Sequence, residues 1–143
     1  MGKLVELVDY IKHNVDWLDD VLTRMSVDDL VEDFGYFNAA LHVLQSSIQA
    51  LIDLMYRIIV LVGERPPKSY SNAPELLVRY KIFKKDEKND IIEMIGFRNI
   101  LVHRYLDIDK EIIHDILLER KYRNILKYAY KILKFAQNRK YDP

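Results

Sequence analysis

The chain has 143 residues, of which 50% are hydrophobic, and its 22 basic side chains balance its 22 acidic ones. This length fits one domain, residues 1–143, with a hydrophobic core that can form without disulfide bonds or other cross-links. The absence of cysteine excludes disulfides and thiolate metal sites and makes the cytoplasm the expected compartment. The most apolar run, residues 58–62, is too short to span a bilayer, and the sequence opens without a signal-peptide pattern, so no membrane association is expected.

Charge is distributed unevenly along the chain. Residues 1–62 carry 4 basic and 10 acidic side chains, whereas residues 120–143 carry 8 basic and 1 acidic. A folded bundle would therefore have an acidic side and a basic strip, and a basic strip attracts RNA or an acidic protein. A solvated, lysine-rich helix face is the simpler explanation, so the asymmetry alone identifies no partner.

The first helix is predicted over residues 3–23. Its apolar residues are spaced alternately by four and by three, which is typical of helices that pack at a shallow angle. They are Leu4, Val8, Ile11, Val15, Leu18, Leu22 and Met25. Charged side chains fill the positions between them, so this helix is expected to bury one stripe in a bundle.

A second and much longer helix is predicted to start after Ser26 and to stop at Gly63. The Ser26 hydroxyl can accept a hydrogen bond from a free backbone N–H, and Asp28 and Asp29 suit the positive end of the helix dipole. Gly63, with two prolines just beyond it, is the expected end. Between these ends the same spacing continues without a slip through Leu30, Phe34, Phe37, Leu41, Leu44, Ile48, Leu51, Met55, Ile58 and Val62.

Three shorter segments complete the predicted fold. A loop over residues 63–73 precedes a short helix over 74–83, and a fourth helix runs from about residue 86 to His103. The last helix is predicted from an N-cap at Asp109 to about residue 138, with a shift of its apolar register on the way. The pattern predicts an all-α fold, an antiparallel up-down bundle of four to five helices.

One stretch carries the residue types that proton transfer and phosphate binding require. It contains Arg98, Asn99, His103 and Tyr105. On a straight helix Arg98 and His103 point about 140° apart, whereas Arg98 shares a face with Tyr105 and Asn99 shares one with His103. Arg98 and His103 can therefore act together if the helix ends or bends near His103, or if a second subunit supplies part of the site, and we expect both.

These side chains suit RNA cleavage. A histidine can take a proton from a ribose 2′-hydroxyl or give one to the leaving 5′-oxygen, and an arginine can grip a phosphate through two hydrogen bonds. Asn99 can orient the imidazole, and Tyr105 can donate to a phosphate oxygen. No cofactor and no metal is predicted, because the sequence has neither a paired-histidine helix motif nor a carboxylate cluster with ligand spacing. The alternative is a purely structural role, in which this stretch is a capped helix end and Arg98 makes a salt bridge.

Residues 98–105 fit the pattern R-x-x-x-x-H-x-Y and resemble HEPN-domain proteins, more narrowly the HepT toxin family. The flanking residues 93–97 and 106–109, and residues 50–53, are also similar to that family. The resemblance implies an antiparallel helical bundle that forms a homodimer, in which Arg98 and His103 of two subunits line one cleft. It also implies metal-independent endoribonuclease activity as the toxin of a toxin–antitoxin system, with RNA as the substrate.

The resemblance further implies a minimal nucleotidyltransferase antitoxin as the partner. In such pairs the antitoxin can transfer AMP to the motif tyrosine, here Tyr105. Asp53 is a candidate supporting residue near the cleft, or else an outer-face carboxylate. A second class of function stays open, namely a non-catalytic module that binds nucleotide or RNA, or a partner subunit of a nucleotidyltransferase. A third class of function is that of a purely structural helical adaptor.

The other histidines are predicted to have no catalytic role. His13 and His42 lie in helix patterns and are expected at the surface or at the edge of an apolar stripe. His114 precedes Asp115, but neighbouring residues of a helix point apart, so the two are not expected to form a catalytic pair. Trp17 is expected in the core or in a dimer interface.

Overall fold

The structure, a computed structural model, describes residues 2–141, and the ends of the predicted domain, Met1 and Asp142–Pro143, lie outside the described residues. Within that range the chain forms seven α-helices and no strand, as an all-α fold requires. The helices are α1 (Lys3–Arg24), α2 (Val27–Glu32), α3 (Phe34–Leu61), α4 (Ala73–Arg79), α5 (Lys85–His103), α6 (Lys110–Leu118) and α7 (Arg123–Asn138).

The long helices pack as the predicted antiparallel bundle. Helix α3 lies at its centre and contacts α1, α4, α5 and α7. Asp19, near the end of α1, binds Arg123 at the start of α7, so these two helices run in opposite directions. Glu87 of α5 binds Lys131 of α7, and further along α5 Asp90 accepts from Tyr128, which comes earlier in α7. Helix α7 is therefore antiparallel to both α1 and α5.

The predicted second helix is in fact two helices, α2 and α3, separated at Asp33. Ser26 caps α2 as predicted, because its hydroxyl accepts from the Asp29 N–H at 3.0 Å. Asp33 has an extended backbone (φ −88°, ψ 119°), and its carboxylate caps α3 by accepting from the Tyr36 N–H at 2.9 Å. The break preserves the apolar spacing on either side, so periodicity could not reveal it. Its consequence is that Phe34, predicted to be on the buried stripe, is 85% exposed.

The predicted last helix is also broken. Asp109 caps α6 as predicted, since its carboxylate accepts from the Glu111 N–H at 2.9 Å. The helix then ends at Leu118, Arg120 adopts a positive φ of 54°, and α7 starts at Arg123. This interruption explains the predicted shift of the apolar register, because the two halves bury different stripes.

The ends of α3 and α4 show how well helix stops were predicted. Gly63, at φ 87°, follows the last turn of α3 and ends it at the expected position. Helix α4 is shorter than the predicted 74–83, because it ends at Arg79 and Lys81 has a positive φ of 61°. Ile82 and Phe83 are still buried, so the apolar pattern continues beyond the helix itself.

Helix α3 is the one helix among residues 2–141 that is long and apolar enough to cross a membrane by length and composition. Over its most apolar window, 56% of the residues are buried inside the protein. Its apolar face is the centre of the core, and the neighbouring helices cover it. Helix α3 therefore has the composition of the central helix of a bundle.

Candidate active site

The predicted catalytic stretch lies at the carboxyl end of α5. His103 is the last residue of this helix, and the Arg104 N–H closes its final turn on the Ile100 carbonyl at 2.9 Å. Arg104 leaves the helical conformation (φ −132°, ψ 46°), and a single 3-10 turn, Tyr105–Asp107, follows. The prediction that the helix ends near His103 is confirmed. The imidazole therefore stands at the end of a rigid element, where the chain changes direction.

Arg98 is half-buried, and its charge is not neutralised within the described chain. Its Nη1 donates to the Asn99 Oδ1 at 3.0 Å, and no carboxylate of residues 2–141 lies within ion-pair distance of it. Its Nε is buried and has no acceptor. Since an unpaired buried donor costs about 1–3 kcal/mol, this guanidinium is poised to gain from an anionic ligand. The alternative that Arg98 serves a structural salt bridge is not supported.

An aromatic side chain of the loop after α3 holds the Arg98 guanidinium. The Arg98 Cζ lies 5.7 Å from the centre of the Tyr70 ring, in the geometry of a cation–π contact. Tyr70 packs edge-on against Tyr56 of α3, with their ring centres 5.6 Å apart. The Tyr56 hydroxyl in turn donates to the Pro67 carbonyl at 2.8 Å, which ties the loop to α3. Sequence analysis missed Tyr70, because nothing in the loop's composition indicates a contact with α5.

Asn99 and His103 are both exposed, but the structure does not join them. The Asn99 side-chain oxygen is occupied by Arg98. The imidazole of His103 makes no hydrogen bond to any residue in the described part of the chain. The helical spacing that suggested an Asn99–His103 contact still puts them on one face. In this arrangement Asn99 contacts the guanidinium, and the imidazole is exposed to solvent.

Tyr105 does not continue the Arg98 face, because α5 ends two residues before it. Its side chain is 67% exposed and lines a groove with residues of α2, α3 and α6. Arg98, in contrast, faces the Tyr70 loop. The phenol is therefore accessible from solvent.

Asp53 is exposed on α3, where its Oδ1 accepts from the Gln49 side-chain amide at 2.9 Å. It makes no hydrogen bond to Arg98 or His103, so the structure does not join it to the motif. The Gln49 side-chain oxygen is buried without a partner. Asp53 thus orients a polar side chain of the central helix.

In the part of the chain that the structure describes, neither the remaining histidines nor the carboxylates form a second candidate centre. Among residues 2–141 no group of three or more His, Asp or Glu side chains is arranged to hold a metal ion. His13 and His42 are exposed, as predicted. His114 does not pair with Asp115 as a close hydrogen-bonded dyad; its Nε2 contacts the Asp28 carboxylate at 2.7 Å instead and joins α6 to α2.

Solved structures with the same fold are similar over nearly the whole chain. A tri-AMPylated HEPN toxin of Shewanella oneidensis in complex with an MNT antitoxin matches with a TM-score of 0.82 and 19% identity, over 94% of this chain and 99% of that one. The cytosolic protein of unknown function YutE of Bacillus subtilis matches with a TM-score of 0.80 and 17% identity, over 97% and 95% of the two chains. At these identities the likeness establishes the fold.

Sequence comparison adds the family. A candidate RNase of Archaeoglobus fulgidus is 28% identical over 130 residues, which is 91% of this chain and 90% of that protein. The family model described as ribonuclease HepT-like matches residues 11–132 and so includes the whole stretch from Arg98 to Tyr105. The likeness that residues 98–105 carry therefore extends over most of the chain, which belongs to the ribonuclease HepT-like family.

Proposed function

We propose that this chain is the toxin of a toxin–antitoxin system and that it cuts RNA without a metal ion. Membership of the ribonuclease HepT-like family supports RNA as the substrate class. The observation that carries the proposal is the Arg98 guanidinium, which has no carboxylate partner among residues 2–141 and lies five positions before an exposed imidazole at a helix end. A cation free to bind phosphate and a base free to move protons are the minimum for cleaving a phosphodiester.

The reaction uses the ribose itself as the nucleophile. The 2′-oxygen forms a bond to the adjacent phosphorus while the bond from phosphorus to the 5′-oxygen breaks. The products are a 2′,3′-cyclic phosphate and a free 5′-hydroxyl. One imidazole accepts the 2′-hydroxyl proton, another donates a proton to the departing 5′-oxygen, and Arg98 offsets the charge that builds on the phosphate.

A homodimer supplies both imidazoles. Arg98 and His103 lie on different faces of α5, so one subunit presents them to one phosphate only with difficulty. Two copies that bring the ends of their α5 helices together would line one cleft with two guanidinium and two imidazole groups. One His103 then acts as the base and the partner's copy as the acid, which the two proton transfers require.

The proposed partner is a minimal nucleotidyltransferase antitoxin. The related Shewanella toxin is tri-AMPylated and in complex with an MNT antitoxin, and the exposure of Tyr105 suits the same chemistry here. The Tyr105 oxygen would attack the α-phosphorus of ATP, pyrophosphate would leave, and the phenol proton would pass to a base or to solvent. The adduct adds negative charge and bulk close to His103, which opposes the approach of an RNA phosphate.

The RNA-cleaving function is tested by comparing Arg98→Lys with the parent chain. Lysine keeps the positive charge but loses the planar pair of donors that grips two phosphate oxygens, so cleavage should fall about 10²–10³-fold. The assay follows a labelled RNA in the presence of a chelator and identifies the product ends. Cyclic phosphate ends that form at the parental rate in Arg98→Lys would contradict the role of Arg98. RNA that is bound but never cut would favour the non-catalytic binding module.

The antitoxin is tested by co-expressing this chain with a minimal nucleotidyltransferase of the MNT type, followed by intact-mass spectrometry. We expect a mass increase of one or more adenylyl units that is absent from Tyr105→Phe, because phenylalanine lacks the oxygen that accepts the group in this proposal. An unmodified mass in an inhibited complex would contradict nucleotidylation of Tyr105 and leave inhibition by simple binding.

A further inference from the structure

A groove beside Tyr105 is a feature of the surface that the proposed RNA cleavage does not use. It has a volume of about 610 Å³, a size typical of small-molecule sites. We name it the Phe34 groove, and its main walls are Phe34, Phe37, Leu41, Leu101, Tyr105 and Lys110. It lies where α2 and α3 meet the segment between α5 and α6. Arg98 and Tyr70 do not line it.

The groove exists because the chain is not helical at Asp33, so that α2 ends and α3 begins as a separate helix. Had α2 and α3 been one helix, the apolar spacing would have turned Phe34 towards the core. Instead Asp33 is extended and Phe34, the first residue of α3, is 85% exposed. An exposed phenylalanine next to a half-buried one, Phe37, offers two apolar surfaces to a ligand. Ordinary surface positions rarely hold such a pair.

The groove combines an apolar interior with polar side chains. Leu41 and the buried Leu101 form part of the interior. The Asn38 amide nitrogen donates to the Phe34 carbonyl at 2.7 Å, which leaves the Asn38 side-chain oxygen as an acceptor. The side chains of Gln45 and Glu32 add further polar atoms. Amide and carboxylate groups of this kind can pair with the edge of a purine, while aromatic rings stack on its face.

The side chain of Lys110 lies at the aromatic end of the groove. The Lys110 Nζ is 5.4 Å from the centre of the Phe37 ring, and it has no carboxylate partner among the described residues. Tyr105 lines the same groove, and its ring is largely exposed. A phosphate bonded to the Tyr105 oxygen would therefore lie in the field of a lysine. Glu32 also lines the groove, and Asp28 and Glu111 lie beside Lys110 in a neighbouring depression, so these carboxylates weaken the attraction. On the α2 side, Glu32 would favour the amino group of an adenine.

We propose that the Phe34 groove binds the adenosine of an adenylyl group carried by Tyr105, with its base against Phe34 and its phosphate towards Lys110. The proposal rests on the proposed nucleotidylation of Tyr105 and adds a site for the transferred group. The groove would hold the adduct against the protein, so that the modified tyrosine stays shielded from enzymes that remove nucleotides. An RNA base is the rival occupant, and it is distinguished by the experiment below.

The probe is 5′-AMP, titrated into the full chain with isotope-labelled leucine and isoleucine methyl groups. We expect saturable binding at millimolar concentration, with shifts concentrated at Leu41, Leu101 and Ile108, all of which line the groove. Contacts from the adenine protons to the Phe34 ring should appear as nuclear Overhauser effects. Shifts that are absent, or that cluster on the core beneath Tyr70, would overturn the proposal. So would an RNA oligonucleotide that shifts the groove methyls when AMP does not.

Phe34→Ala is the diagnostic variant. Its matched control is Tyr130→Ala, which also removes an exposed aromatic ring, here one on α7 that is 44% exposed. Loss of a stacked base should weaken AMP binding about 5–150-fold in Phe34→Ala and leave the control unchanged. An equal loss in both variants would contradict a specific groove.

RNA cleavage, measured on the same samples, separates the two proposals. Phe34→Ala should cut RNA at the parental rate, because Phe34 belongs to neither the arginine nor the histidine site. A parent chain that cuts RNA but does not bind AMP would overturn the groove and leave the proposed function intact. A parent chain that binds AMP in the groove but cuts no RNA would contradict the proposed RNA cleavage and leave the groove proposal intact.

Discussion

Among single residues, Arg98 has the most unusual surroundings. A half-buried cation usually binds a carboxylate, whereas Arg98 contacts an amide oxygen and the face of Tyr70. The ring restricts where the guanidinium can point without neutralising its charge. A cation–π contact of this kind contributes about 0.5–2 kcal/mol, which is enough to orient a side chain but not enough to compete with a phosphate.

We therefore predict that Tyr70 is a positioning residue for Arg98. Tyr70→Ala should lower kcat about 3–30-fold, as expected for the loss of about 0.5–2 kcal/mol of orientation, with a much smaller change in KM. Tyr70→Phe keeps the ring face and should cleave at the parental rate. Equal activity in the alanine and parent proteins, at equal melting temperature, would contradict this role.

Among the helices, the apolar period of the sequence predicts some boundaries but cannot reveal a break that preserves the period. The apolar period predicted α1 nearly to the residue, and the requirement that Arg98 and His103 act together predicted the end of α5 near His103. The interruption at Asp33 was invisible, because a break that keeps the four-and-three spacing leaves the pattern unchanged. Tyr70 was also unpredictable, since it reaches Arg98 through the tertiary path of a loop. The motif could therefore be found from the sequence, but its aromatic support and the Phe34 groove could not.

Helices α5 and α7 are held together by a buried carboxylate. Glu87 is 5% exposed, and its Oε2 is bound by Lys131 at 2.5 Å and Lys127 at 3.6 Å. Its Oε1 accepts from the Lys84 N–H at 2.9 Å. Burial raises the pKa of Glu87, but the hydrogen bonds from Lys131 and Lys84 outweigh it and hold the pKa below its ordinary value of 4.5. The ionised form is therefore the one that the folded state prefers.

This preference predicts how stability depends on pH. A carboxyl whose folded pKa is lowered stabilises fully above its unfolded pKa, and its contribution is lost as the pH falls below about 4.5. Glu87→Gln should reduce the free energy of unfolding at neutral pH by about 1.5–3 kcal/mol and flatten the acid limb of the curve. Urea unfolding of both proteins between neutral and acidic pH measures this. Parallel curves would contradict the role of Glu87.

For the whole molecule, the basic carboxyl-terminal strip is only partly available to RNA. Arg120 and Arg123 bind Asp19 of α1 at 3.0 and 3.1 Å. Lys127 and Lys131 bind Glu87. These ion pairs bind α7 to the bundle. Many of the basic side chains near the carboxyl end are therefore neutralised by acidic side chains of other helices. In the proposed function, the strip therefore offers RNA fewer free cations than its sequence charge suggests.

The whole molecule is predicted to be a homodimer. Arg98 and His103 diverge on one helix, and large apolar side chains such as Leu118, at 60% exposure, and Val60, at 56%, remain on the surface of one copy. Light scattering at micromolar concentration should give twice the chain mass of 17.1 kDa. A clean monomer that nevertheless cuts RNA would contradict a site shared between two subunits.

The most direct test of the account is RNA cleavage by His103→Ala, with His13→Ala as the control. Both variants remove an exposed imidazole from a helix, but His13 lies on α1, away from the motif. Since an imidazole acts as acid and base in the proposed reaction, His103→Ala should cut about 10²–10⁴-fold more slowly than the parent at unchanged helical content. The control should cut normally. Parental cleavage by His103→Ala would contradict catalysis by the end of α5.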